Sequence, residues 1–135
     1  MGIQQRWEPA TESYAVVPQE IGEAAATYQR HREIEARQLA IMSGHNLVEE
    51  WTPEAHAAVL EARVHVRAAR EARGAFRKQV REFVRALRAE HEPMPAVLRH
   101  TRTMLQLLTS SKIIKDDGGW LEAEVLEWAI EEFEG

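Results

Sequence analysis

The sequence contains no cysteine, which removes disulfide bonds, thiolate nucleophiles and cysteine-ligated zinc together. It has no apolar run approaching the roughly 18 residues that a membrane-spanning helix requires. The opening stretch, MGIQQRWEPATESY, lacks the apolar segment of a secretory signal. Arg6 stands where an N-myristoylation motif wants Ser or Thr. These absences set the expectation of a cytoplasmic protein with no membrane segment. A glycine-rich phosphate loop and a nucleophile elbow are missing as well, so the sequence reads as a non-enzyme with no cofactor. Gly and Pro number only 7 and 5 in 135 residues, which leaves few places for the chain to turn.

What is present suits one helical domain. A chain of 135 residues can bury about two thirds of the surface its unfolded form exposes. The net charge of −5 hides an uneven layout. Residues 1–51 carry 4 bases and 8 acids, and residues 52–92 carry 9 bases and 6 acids. Residues 93–115 carry 4 bases and no acid, and residues 116–135 carry 8 acids and no base. A basic middle therefore lies between acidic ends, an asymmetry that bears on partner choice.

Residues 1–17, punctuated by Pro9 and followed by Pro18, read as an extended or disordered arm, with Trp7 and Tyr14 available for docking. Residues 18–135 read as a single helical domain. A first helix is expected over about 18–43, with Ile21, Ala24, Tyr28, His31, Ile34, Ile41 and Met42 near one face and Gln38 interrupting it. Gly44 is a natural stop in the left-handed conformation. A second helix begins at Thr52-Pro53, an N-cap followed by proline in the first turn, and runs to about residue 90, roughly 55 Å.

The second helix carries a heptad-like seam. Its core positions are Val66, Arg73, Phe76, Val80, Phe83 and Leu87, continuing an Ala and Val series from Ala55. Small residues on the neighbouring face (Ala68, Ala72, Ala75, Ala86) allow close helix approach. The first helix can cover only the N-terminal two thirds of this length, so the Phe76–Leu87 end needs other cover, from the later helices or another subunit. Third and fourth helices are expected over about 95–109 and 120–133. The predicted fold is all-α: a long antiparallel helical hairpin with two shorter C-terminal helices, bundle-like. At least a dimer is expected.

Four features could carry function. One position after each seam residue stand Arg63, Arg67, Arg70, Gly74, Arg77, Arg81, Val84 and Arg88, an arginine stripe that could meet phosphates or an acidic protein surface. No aromatic interleaves it for base stacking. Arg73 is the one charge in the seam and calls for an acidic partner, Glu35 or an acid of the fourth helix. The histidines lack the Glu-x-x-His and His-Glu-x-x-His spacings, so no metal is assigned, and His100 lacks the following acid of a phospho-accepting histidine. The last helix, WLEAEVLEWAIEEFEG, is acidic with aromatic anchors. It can fill a groove on a partner or pack on its own bundle with its acids near the arginines. Together these features favour a non-enzymatic interaction protein, with the arginine stripe as anion- or partner-binding face and the seam as assembly surface. The alternative is a nucleic-acid-associated helical subunit using the arginine stripe.

Overall fold

The computed structural model describes residues 17–45 and 51–135. The expected arm, apart from Val17, lies outside the described residues. Four helices follow one another: α1 (Gln19–Ser43), α2 (Pro53–Ala89), α3 (Met94–Ser110) and α4 (Trp120–Glu134). The all-α expectation is met, with α1 and α2 forming the dominant antiparallel pair. No described helix is long and apolar enough to cross a membrane.

Local chemistry sets the helix ends. The Thr52 hydroxyl accepts from the Ala55 N–H at 3.1 Å, and Pro53 occupies the first turn. Pro18 sits one residue ahead of α1 rather than inside it. Gly44 closes α1 with φ −74° and ψ −11°, so the left-handed stop expected there is not used. Left-handed stops occur instead at His91 (φ 64°) and Lys112 (φ 62°). Each completes a Schellman motif. The N–H groups of His91 and Glu92 donate to the carbonyls of Arg88 and Leu87, and those of Lys112 and Ile113 to Thr109 and Leu108. Gly118 and Gly119, both at positive φ, turn the chain into α4. The Asp116 carboxylate then takes the Leu121 and Glu122 N–H groups at 2.8 and 3.0 Å.

The core lies at one end of the hairpin. Ile21 and Ala25 of α1 meet Phe76 and Val80 of α2, joined by Met104, Leu105 and Leu108 of α3 and Leu121, Val125 and Trp128 of α4. Phe76 stacks edge-on against Trp128 at 5.9 Å between centroids. A second cluster joins Val84, Val97 and Ala129. The end of α2 that outruns α1 is therefore covered by α3 and α4 of the same chain. Phe76 and Val80 are enclosed, with Phe83 and Leu87 half-buried beside them. That stretch of seam packs within the chain, with part of Phe83 and Leu87 left exposed.

The other end of the hairpin is thin. Beyond Ala25, α1 has no fully buried residue, and its half-buried side chains include Tyr28 and Ile34 beside the more polar His31, Arg32, Glu35 and Gln38. Opposite it, α2 buries only Ala55, Ala62 and Ala69, with Val59 and Val66 half-buried. Small and polar side chains meet there, so little apolar area is removed from water. Ile41 leaves the face expected for it and is 53% exposed.

Candidate functional site

The arginine row does not lie on one solvent face. Its seven-residue steps assume a 3.5-residue repeat, whereas a straight helix drifts by ~20° per heptad. By Val84 the row has turned into the core, and Val84 is fully buried. The row thus splits into a half that binds the chain's own α4 and a half that does not.

In the first half, α4 runs alongside α2 in the same direction. Arg73 pairs with Glu124 and lies 5.3 Å from the Trp128 ring centroid, which identifies the acid of the last helix, not Glu35, as its partner. The Glu124 carboxylate raises the Arg73 pKa further above its ordinary value. Arg77 reaches Glu131 at 3.0 Å. Arg81 and Arg85 grip one oxygen each of the Glu132 carboxylate, at 2.8 and 3.1 Å. Arg88 donates to the Glu132 carbonyl at 3.4 Å and lies over Phe133. Glu132 is 8% exposed, and its pKa is lowered by the hydrogen bonds from Arg81 and Arg85. Arg85 escapes a seam-based reading, although Arg77, Arg81 and Arg85 at four-residue intervals mark a helix face that could have revealed it. The acids late in α4 oppose its dipole, and these arginines compensate.

In the second half, Arg63, Arg67 and Arg70 are exposed and make no ion pair or hydrogen bond among the described residues. Of the three, Arg70 lines a groove of about 570 Å³ between α1 and α2. Its walls include Tyr28, Arg32 and Ala36 of α1 and Val66, Ala69 and Arg70 of α2, and Lys115 and Asp117 close its base. The base is fastened: Arg32 donates to the Lys115 carbonyl at 3.0 Å, and the Lys115 N–H to Gln29 Oε1 at 3.0 Å. Burial raises the pKa of Tyr28, which stands at the groove's lower end.

No protein-family model, curated protein or solved structure matches this chain. The functional reading therefore rests on the surface itself. Most of the large apolar side chains exposed among the described residues lie on the thin end of the hairpin, Leu39 and Ile41 on α1, Leu60 and Val64 on α2, and Trp51 just before α2, while Trp120 and Ile130 are exposed on α4. Leu60 and Val64 stand on the side of α2 turned away from α1, by helical periodicity. The histidines do not converge. His65 meets Glu61 at 3.2 Å, the His56 ring lies tilted 5.4 Å from that of Trp51, and His31 Nδ1 is buried without a hydrogen-bond partner among the described residues. Among the described residues no group of three His, Asp or Glu side chains could hold a metal ion.

Proposed function

We propose that this chain is a non-enzymatic helical interaction protein, a small adaptor or accessory subunit of a protein assembly. One observation carries the reading: the hairpin extends past its own core and presents Leu39, Ile41, Trp51, Leu60 and Val64 to solvent on its projecting end. Apolar side chains concentrated on one projecting element mark an interaction site. Assembly into at least a dimer belongs to the same reading, with this end as contact surface. A cytoplasmic site of action is proposed on composition alone.

The test is a Leu60→Lys/Val64→Lys variant. Both side chains are largely outside the core, so the melting temperature should stay within a few degrees of wild type. Co-purification of the partner, or self-association measured by sedimentation equilibrium, should be lost. Unchanged assembly in that variant would refute the reading.

A second reading is kept because Arg63, Arg67 and Arg70 are unpaired among the described residues: association with nucleic acid through this half of the stripe. It is narrower than the sequence suggested, since Arg77, Arg81 and Arg88 already serve α4. It predicts duplex binding that weakens steeply with salt and is lost when these three arginines become Glu.

A further inference from the structure

The chain's only aspartates, Asp116 and Asp117, stand side by side ahead of α4, and the structure uses them differently. Asp116 is committed: its two carboxylate oxygens accept from the N–H groups of Leu121 and Glu122 at 2.8 and 3.0 Å. Asp117 is exposed and makes no hydrogen bond or ion pair among the described residues. It is followed directly by Gly118, which lies outside the helix with φ 73°, and then by Gly119 with φ 80°.

An aspartate before a glycine carries its own chemistry. The backbone nitrogen of one residue can attack the side-chain carboxyl of the residue before it, and the chain itself holds the two groups together. A Cβ on the attacking residue hinders that approach. Gly118 has none, whereas Asp116 is followed by Asp117, which has one. The one asparagine, Asn46, precedes Leu47. Ring closure also needs a carboxyl that is not held elsewhere. The Asp116 carboxyl is held by the first turn of α4. It needs a backbone that can rotate as well, and glycine moves between backbone regions at little steric cost. Adjacency, the commitment of Asp116 and the two glycines thus single out the bond between Asp117 and Gly118.

We infer that the Asp117–Gly118 linkage is a site of spontaneous modification, closing to a succinimide and opening to isoaspartate, and that the modified linkage loosens the start of α4. The Gly118 nitrogen attacks Cγ of the protonated Asp117 carboxyl. The N–Cγ bond forms, and the amide proton leaves with the carboxyl hydroxyl as water. Water then reopens the ring. Addition at Cγ restores aspartate. Addition at the Asp117 main-chain carbonyl breaks its bond to the Gly118 nitrogen, and that carbonyl becomes a free carboxylate. The chain then runs through Cβ and Cγ. One water is released and one taken up, so the mass is unchanged and no co-reactant is consumed. The backbone path between the Asp116 carboxylate and the N–H groups it caps gains a carbon, which disturbs the cap.

The experiment ages the full chain at physiological temperature and neutral pH beside a synthetic peptide of residues 113–122. Trypsin cuts after Lys115 and releases residues 116–135, and electron-transfer fragmentation of that peptide locates an isoaspartyl linkage. The expected result is isoaspartate at 117 and none at 116, formed in the folded chain at a rate within about tenfold of the short peptide's. An Asp117→Glu variant, which would have to close a larger ring, should form none. A folded-chain rate more than about tenfold below the peptide's overturns the inference, because the fold then protects the bond. Product at 116, or product that persists in Asp117→Glu, overturns it as well. The consequence for α4 is read separately from the melting temperature. The isomerised chain, separated by ion exchange, should melt roughly 2–5 °C below the fresh chain, and Asp117→Glu aged in parallel should show no such drop. An isomerised chain that melts with the fresh one overturns the link to the helix start.

Discussion

Glu132 concentrates the electrostatics of the molecule in one side chain. Its two oxygens are held by two guanidinium groups, Arg81 and Arg85, which keep much of their own exposure and therefore lose little solvation. Glu132→Gln should destabilise the fold by about 1–2 kcal/mol near neutral pH, because hydrogen bonds to a charged acceptor exceed neutral ones. The pH dependence has a definite sign. The folded-state pKa is depressed below the ordinary glutamate value, so the contribution is complete above that value and is lost as pH falls through the folded pKa. The stability gap between wild type and Glu132→Gln, measured by urea unfolding, should therefore shrink in acid. A gap that stayed constant down to strongly acidic pH would mean that the carboxylate charge plays no part. The acid partner of Arg73 was half legible: a charge in an apolar seam demands a counter-ion, but the sequence offered Glu35 as readily as an acid of α4. Only the placement of α4 beside α2 decides between them.

The helices themselves were legible because their signals are local. The Thr52-Pro53 start and the three- and four-residue steps of the α2 seam are each read from neighbouring residues. The ends of the helices were legible to within about a residue, but the left-handed conformation of the stops was not, because His91 and Lys112 occupy positions where glycine is the usual marker. A left-handed conformation costs a residue with a Cβ ~1 kcal/mol or more. Replacing either residue with Gly should therefore stabilise the protein, by about 0.5–1 kcal/mol each, since both side chains are exposed. For a domain of this size that corresponds to roughly 2–5 °C in Tm. A lower Tm in both variants would show that their side chains contribute more than the strain removes. The arginine stripe was misread as one face for a different reason. Counting by sevens hides the drift of a straight helix, and Val84 records where the row crosses into the core.

At the scale of the molecule, stability is unevenly distributed along α2. Its C-terminal half packs on three helices around Phe76, Val80 and Val84, while its N-terminal half, among the described residues, packs on α1 mainly through alanines. Local opening follows buried apolar contact. Amide hydrogens over 55–66 should thus exchange through openings of lower free energy than those over 76–84. Equal protection along the whole helix would show that the projecting end is covered in solution. The expectation of cover for α2 was correct in kind, but the sequence could not say that α3 and α4 supply it, because pairings between distant segments leave no local trace.

The pairing of α2 with α4 also bears on how the protein is made. Phe76 is enclosed only when Trp128, some fifty residues later, is in place, and the Arg81–Glu132 contact spans 51 positions. The hairpin of α1 and α2 can form from neighbouring sequence, but pairings across such separations come late. During synthesis, a ribosome that has released α2 leaves the apolar wall of that helix bare until α4 has cleared the exit tunnel. A nascent chain halted with α2 outside the tunnel and α4 still inside it should therefore recruit chaperones, and one tethered by a linker that lets α4 emerge should release them.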